Sequence, residues 1–226
     1  MIIFRLGLLA LTLSTLLSCS ATYYNYAYTL EQAFSPDVGV TLSKEDIVAQ
    51  KYDVLYVTPG GRSRALVVLA YVEHDERKWV SQDHAMLNTR NGRLVKTSGF
   101  GTDLLFSQAD TPDPLQNQAQ EIRQGLSWSS LTDWSNNESS VQTQYRISAV
   151  QNEQIDIAGM TLLARKVTEQ VTFGNGQTAE NLFWLDPASG QVLKSLQHIA
   201  PFFPPLLIEH VTAAARLSGL ITKGAV

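Results

Sequence analysis

The chain has 226 residues, of which 44% are hydrophobic and 17% are charged, and its formal net charge is −4. This apolar content excludes a disordered chain, and the length suits one domain or two small ones. The acidic balance lacks the basic surplus of a nucleic-acid-binding protein, so no nucleic-acid partner is expected. A single cysteine excludes an intramolecular disulfide and a thiolate cluster, and the four histidines show no metal-binding spacing.

The N-terminal residues read as an export signal that ends at a lipid attachment site. Arg5 precedes an apolar run over residues 6–17, which is too short to span ~30 Å of hydrocarbon as a helix but matches a secretory signal core. The sequence Leu16-Leu17-Ser18-Cys19 resembles a bacterial lipobox, whose cysteine becomes the lipidated first residue. We therefore predict a signal peptide over 1–18 and a lipid on Cys19. An ordinary signal peptide with a chance cysteine is the alternative.

The lipid predicts where the mature protein resides. Two or more acyl chains anchor a protein durably, so the membrane is an expected partner through the N-terminus. Ser20 follows the cysteine, and by resemblance to other bacterial lipoproteins this favours the outer membrane, with the domain facing the periplasm. Residues 19–40 are predicted to form the lipidated N-terminus and a tether. Four tyrosines within this stretch indicate either a partly ordered tether or contact with the domain or the lipid interface.

Residues 41–226 are predicted to form a mainly β domain. Ser43 predicts the start of a short helix, because its side chain can cap the first turn. The continuous apolar run Ala65–Val72 is typical of a strand buried on both faces. Asn91-Gly92 between two strand patterns predicts a hairpin with a type I′ turn, because both residues tolerate a positive φ.

The second part of the chain follows a break in this pattern. Prolines interrupt residues 107–127, where Pro114–Gly125 is predicted to be a loop or a short helix. Alternating residues over Val141–Ile147 then predict a half-buried strand, and a second hairpin is predicted around Asp186–Gly190. The last predicted element is an amphipathic helix over 206–217.

These elements indicate a mainly β fold of antiparallel meanders that form a sandwich or a partly open barrel, with short peripheral helices. The halves 41–108 and 125–200 are either separate domains or parts of one. Trp79 and Trp184 lie within apolar strand patterns and are predicted to be core residues, although exposed tryptophans could instead stack on sugars.

Motifs for catalysis are missing from the sequence. It has no nucleophile elbow, no marked pair of carboxylates and no phosphate loop between a strand and a helix. We therefore expect no enzyme activity, no catalytic residue, no metal and no cofactor. The net charge would repel an acidic glycan unless basic residues cluster locally. The candidates for such a ligand or partner surface are Arg62, Arg64, Arg90, Arg93 and Lys96.

Two stretches carry a family resemblance. Lys78-Trp79-Val80-Ser81-Gln82-Asp83 and Asn91–Gly99, together with the lipobox and the Ala65–Val72 strand, resemble the YjbF/GfcB family of bacterial lipoproteins. The resemblance is most specific over residues 65–104. It implies a mainly β outer-membrane lipoprotein that is encoded with exopolysaccharide or group 4 capsule production genes and has no assigned catalytic residues.

The resemblance favours a non-catalytic accessory in exopolysaccharide or capsule secretion or assembly, which contacts a secretion protein or a glycan. One alternative is a periplasmic half-barrel that handles lipids or lipoproteins, which would need a large apolar cavity. A weaker alternative is a polysaccharide hydrolase. A groove with exposed tryptophan and carboxylates would favour either the accessory role or the hydrolase.

Overall fold

The computed structural model describes residues 39–201 and 203–221, so the predicted signal peptide, Cys19 and the tether before residue 39 lie outside the described residues. Within them, twelve strands form one antiparallel sheet in the order β5-β4-β3-β2-β1-β12-β11-β10-β9-β8-β7-β6. Consecutive strands pair with each other, except that β5 and β6 form the two edges of the sheet, and β1 also pairs with β12. This order confirms the predicted antiparallel meanders, and both halves of the chain contribute strands to the same sheet.

The strands are β1 (Val54–Pro59), β2 (Ala65–Glu73), β3 (Glu76–Ser81), β4 (Met86–Arg90), β5 (Arg93–Ser98), β6 (Leu104–Ala109), β7 (Ser127–Trp134), β8 (Glu138–Ile157), β9 (Met160–Thr172), β10 (Thr178–Leu185), β11 (Val192–Gln197) and β12 (Leu206–His210). The helices are α1 (Lys44–Val48) and α2 (Val211–Leu217), and two short 3₁₀ turns cover Pro114–Gln116 and Ala119–Glu121.

The sheet nearly closes into a barrel because its two edge strands, β5 and β6, approach each other. The Leu104 N–H donates to Thr97 Oγ1 at 2.9 Å across this seam. The Asp103 carboxylate accepts hydrogen bonds from the N–H groups of Gly99 at 3.0 Å and Phe100 at 3.1 Å. These side chains satisfy backbone groups that an open sheet edge would leave unpaired.

Strand β1 is buried on both faces. Side chains alternate along a strand, so Leu55 and Val57 belong to the cluster that also contains Trp79 and Phe173. Val54 and Tyr56 belong to a second cluster with Ile47 of α1 and the alanines of α2. The two short helices thus cover the outer side of β1, which explains why four consecutive residues of this strand are 2% exposed or less.

Several local predictions are confirmed. Ser43 forms a capping box with Asp46 at the start of α1. Asn91 and Gly92 both have positive φ values, 49° and 84°, as a type I′ turn requires. Trp79 is 1% exposed and Trp184 is 8% exposed, so both are core residues and not glycan platforms.

The predicted C-terminal helix over 206–217 is wrong in its first part. Leu206–His210 forms strand β12, which pairs with β1 on one side and β11 on the other, and only Val211–Leu217 is helical. Two neighbouring strands offer the apolar residues of this stretch a fuller set of backbone hydrogen bonds than a short helix would. Strand β8 is also longer than the predicted Val141–Ile147, since it continues to Ile157 past an irregularity in its pairing with β9.

Candidate functional site

The barrel interior contains a buried group of polar side chains centred on Arg93, the first residue of β5. Its Nη1 and Nη2 donate to the two carboxylate oxygens of Glu169 on β9, each at 2.8 Å. It also forms an ion pair with Asp113, and Asn181 Nδ2 donates to Glu169 Oε1 at 3.1 Å. These four residues are called the Arg93 cluster below. Arg93 is 5% exposed and Glu169 is fully buried, so water does not screen their attraction.

Aromatic rings surround the same guanidinium. Its carbon lies 4.5 Å from the ring centre of Trp128, 4.8 Å from that of Phe183 and 5.3 Å from that of Tyr145, which adds cation–π attraction. Burial opposes the charge on Arg93, but the charges and hydrogen bonds of Asp113 and Glu169 outweigh burial and raise its pKa. Burial raises the pKa of Tyr145 to about 12. Neither Arg93 nor Tyr145 therefore exchanges a proton near neutral pH, and the cluster acts as a structural connection.

The cluster and its neighbours join parts of the chain that are distant in sequence. Asp113 also accepts a hydrogen bond from the Leu115 N–H at 3.0 Å and so begins the first 3₁₀ turn. Gln197 of β11 reaches across to β5, where it accepts from the Leu94 N–H and donates to the Gly92 carbonyl, each at 2.9 Å. Together these contacts fix the start of β5 against β9, β10 and β11.

The structure separates several of the basic residues that were predicted to form a ligand or partner surface. Arg93 is in the interior, because two carboxylates and three aromatic rings provide it with better partners than water. Arg62 and Arg64 lie in the β1–β2 turn, at the opposite end of the strands from Arg90 in the β4–β5 hairpin.

The four remaining residues differ in exposure and partners. Arg64 is half-buried, with its guanidinium 4.4 Å from the centre of the Tyr56 ring. Arg90 pairs with Asp75 at 2.9 Å and Glu76 at 2.7 Å. Arg62 and Lys96 are exposed, and their use by a ligand or partner stays a prediction.

An apolar cavity of about 140 Å³ lies among the β1–β2, β3–β4 and β5–β6 turns. Val57, Val67, Leu87 and Phe100 contribute its apolar lining. Pockets that enclose drug-sized ligands usually measure ~300–1,000 Å³. This cavity is therefore small for an acyl chain, and elsewhere in the interior Trp79, Trp134 and the Arg93 cluster fill the space.

A polar cleft of about 290 Å³ lies between the turns at Asn91-Gly92 and Ser189-Gly190. The segments that begin with these turns, Asn91–Thr97 and Ser189–Ser195, have similar sequences. The fold brings the two turns together. Arg77 and His210 also line the cleft. Burial, and in second place the charge of Arg77, lowers the pKa of His210 to about 4, so this imidazole is neutral at neutral pH.

An open groove of about 530 Å³ lies on the outer face of β7, β8 and β9. Its side chains form two rows across the three strands, because Ser127 is opposite Arg146 and Ser129 is opposite Gln144 in the β7–β8 register. We call this surface the outer groove; its rows are Ser127, Arg146 and Gln170, and Ser129, Gln144 and Thr172. No sequence pattern indicated this groove, since hydroxyl and amide residues alternating with apolar ones are ordinary on a solvated strand face.

The described part of the chain has no candidate metal-binding group and no candidate membrane-spanning helix. Among residues 39–201 and 203–221, no three or more His, Cys, Asp or Glu side chains are grouped so that they could hold a metal ion. Over the same residues, no helix has the length and apolarity to cross a membrane.

The fold and these sites define a class: a nearly closed, barrel-like antiparallel sheet with a filled, ion-paired interior and polar recesses on its surface. Comparison with known proteins specifies the family. The family model described as group 4 capsule polysaccharide lipoprotein gfcB, YjbF matches residues 27–211. The chain belongs to this YjbF family, as the resemblance over residues 65–104 indicated.

Individual relatives agree with this assignment. The chain is 34% identical to the lipoprotein GfcB of Escherichia coli K12 over 185 residues, which are 80% of this chain and 86% of the relative. It is 30% identical to the lipoprotein YjbF of the same organism, over 83% of this chain and 88% of the relative. The crystal structure of the hypothetical lipoprotein YmcC from Escherichia coli K12 is similar with a TM-score of 0.68 and 32% identity, over 80% of this chain and 92% of that one.

Proposed function

We propose that this protein is an outer-membrane lipoprotein that supports the secretion or assembly of an extracellular polysaccharide without catalysis. The observation that carries the proposal is the match of residues 27–211 to a family described as a group 4 capsule polysaccharide lipoprotein. In this proposal Cys19 carries the lipid, and the domain faces the periplasm. Its partner is a secretion protein or the glycan itself.

The filled interior supports this role over lipid transport. A lipid-handling half-barrel would need space for an acyl chain. The apolar cavity among the β1–β2, β3–β4 and β5–β6 turns has a volume of about 140 Å³. The Arg93 cluster also places charged groups at the centre of the fold, and an acyl chain there would remove the favourable surroundings of those charges. The surface of the domain is therefore the favoured place for contact with a partner.

The test is deletion of the gene followed by measurement of surface polysaccharide. We expect a reduced amount with unchanged sugar composition, because an accessory affects export and not synthesis of the repeating unit. Reintroducing the parent chain should restore the polysaccharide. Cys19→Ala should not restore it and should leave the membrane fraction, whereas Ser18→Ala, which keeps the cysteine, is the matched control.

Three results would contradict parts of the proposal. Unchanged polysaccharide in the deletion strain would remove the role in export. Shortening of the purified polymer by the purified protein, measured by size-exclusion chromatography, would reassign the protein as a hydrolase. Retention of the Cys19→Ala variant in the membrane fraction at the parent level would refute the lipid anchor.

A further inference from the structure

We infer that the outer groove binds a short segment of a sugar chain, with Gln144 and Arg146 as its central contacts. This inference rests on the proposed function, because it names the glycan as the direct partner. The groove is about 530 Å³ in volume, within the ~300–1,000 Å³ range of small-molecule sites.

The arrangement of the six side chains follows from the strand register. Neighbouring strands are ~4.8 Å apart, and next-but-one residues on a strand are ~6.7 Å apart. The two rows therefore form a flat array of roughly 10 by 7 Å. Strand β7 contributes two hydroxyl groups, β8 an amide and a guanidinium group, and β9 an amide and a hydroxyl group. An array of this size accommodates one or two sugar rings.

The polar groups in this array differ in whether they already have partners. Ser129 Oγ donates to Asp110, and Gln170 Nε2 donates to Glu180 Oε2 at 2.9 Å. These contacts orient the rim. In the middle, the side chains of Gln144 and Arg146 form no hydrogen bond or ion pair with any other described residue. They are exposed and keep their donors and acceptors available to a ligand.

The residue types specify the ligand chemistry. Hydroxyl and amide groups both donate and accept hydrogen bonds, as a polyol requires, and guanidinium binds a carboxylate through two parallel hydrogen bonds. An apolar ligand finds few apolar side chains in these rows, and a nucleic acid would need several cations where the groove has one. The favoured ligand is a hydroxyl-rich segment with one acidic substituent at Arg146, since one cation offsets one carboxylate whereas the net charge of −4 disfavours a densely charged polymer.

The backbone amides of Ser129 and Thr172 provide spectroscopic reporters for this site. Both residues line the groove, and neither is changed in the variant described below. The ring of Trp79 lies in the core, where its Nε1 donates to Thr89 Oγ1 at 2.9 Å, so its indole signal is an internal reference. A ligand in the groove should change the amide signals of Ser129 and Thr172 and not the indole signal of Trp79.

The experiment titrates the full chain, ¹⁵N-labelled and held in detergent micelles, with an aldobiouronic acid, which carries one carboxylate on two sugar rings, as an acidic probe and maltose as a neutral one. We expect a saturable shift of the Ser129 and Thr172 amide signals with the acidic probe and at least tenfold weaker binding of the neutral probe. The double variant Gln144→Ala, Arg146→Ala should weaken binding of the acidic probe at least tenfold. The matched control is Arg77→Ala, Gln82→Ala, which removes the same residue types from exposed positions on β3 and the turn after it.

Each remaining outcome overturns the inference. Absence of a saturable shift with both probes means that the groove does not bind sugar chains. Equal weakening by the control variant means that any exposed positive charge attracts the probe and that the groove has no special role. If binding is absent while gene deletion still lowers surface polysaccharide, the glycan site is refuted and the accessory function stands.

Discussion

The Arg93 cluster and the outer groove use the same residue types in opposite ways. Arg93 lies in the interior and has two carboxylates, three aromatic rings and almost no contact with water. Arg146 lies on β8 with an amide and hydroxyl groups around it and no charged partner among the described residues. The two arginines are related through neighbouring residues of β9, since Arg146 is opposite Gln170 and Arg93 binds the adjacent Glu169.

The difference shows which arginine serves the fold and which remains available for a ligand. A buried charge must have partners, because its desolvation costs several kcal/mol. In the fold, Glu169 and Asp113 are the partners of Arg93, and the carboxylate oxygens of both residues accept hydrogen bonds from its guanidinium. An exposed charge has no such requirement, so the fold leaves Arg146 unpaired at little cost.

The largest expected effect is from removal of the interior arginine. Arg93→Met should lower the free energy of unfolding by about 3–5 kcal/mol, because Glu169 and Asp113 would stay buried without a cation. Urea denaturation followed by tryptophan fluorescence measures the loss. Glu169→Gln should lower the free energy of unfolding by less than Arg93→Met does, because it preserves the side-chain shape and the Arg93–Asp113 ion pair.

The matched control for this prediction is Arg90→Met. Arg90 also has two carboxylate partners, but all three groups are partly exposed, so its loss should cost less than about 1 kcal/mol. Equal losses for Arg93→Met and Arg90→Met would show that the interior cluster contributes no more than a surface ion pair.

The next largest effect is a loss of folding stability at acidic pH. The pKa of His210 is about 4 in the folded state, against 6.5 for an unperturbed histidine. Below pH 6.5 the unfolded chain binds a proton at this residue and the folded chain does not, so acidification from pH 6.5 to 4 favours unfolding. One pKa unit corresponds to ~1.4 kcal/mol, so His210 should account for about 3 kcal/mol of lost stability over this window.

His210→Asn tests this assignment. The variant removes the titrating group, so its stability should fall less steeply between pH 6.5 and 4 than that of the parent, in urea denaturation at each pH. Parallel pH profiles for the two proteins would mean that other groups cause the acid sensitivity.

A smaller effect is expected at the predicted hairpin. Gly92 has a φ of 84°, and a Cβ there would lie 2.4 Å from Val192 Cβ. Gly92→Val should therefore cost more than about 1 kcal/mol through backbone strain, with a further loss from the clash. Gly101→Val is the control, because Gly101 has a φ of 92° but no atom within 4 Å of its Cβ position. Equal losses of stability would show that the contact with Val192 is unimportant.

The sequence allowed prediction of those parts of the fold that depend on neighbouring residues. The Asn91-Gly92 turn, the Ser43 cap and the burial of Trp79 follow from local chemistry and apolar pattern. The pairing of β1 with β12 joins residues more than 140 positions apart, and nothing local specifies it. This pairing turned the predicted helix at 206–210 into a strand, since backbone partners at both sides override a weak helical pattern.

The candidate sites were harder to predict for the same reason. Arg93 resembled a surface cation because it follows a turn in a strand of mixed polarity. Its partner Glu169 is 76 residues away, and Asp113 is in a proline-containing segment that looked like an exposed loop. The outer groove depends on register between three strands, and its residue types are unremarkable individually.

The smallest expected effect on stability is in the outer groove. The double variant Gln144→Ala, Arg146→Ala should change the free energy of unfolding by less than about 0.5 kcal/mol, because neither side chain has a partner to lose. Thermal unfolding of this variant beside the parent measures it. A loss as large as that of Arg93→Met would show that these residues serve the fold after all.

The most direct test of the account is to return this groove variant to the deletion strain and measure surface polysaccharide. We predict that the protein reaches its normal level and that polysaccharide stays reduced, whereas Arg77→Ala, Gln82→Ala restores it fully. Full restoration by the variant with Gln144→Ala and Arg146→Ala would contradict the account, because the exposed arginine would then be as unnecessary for function as it is for the fold.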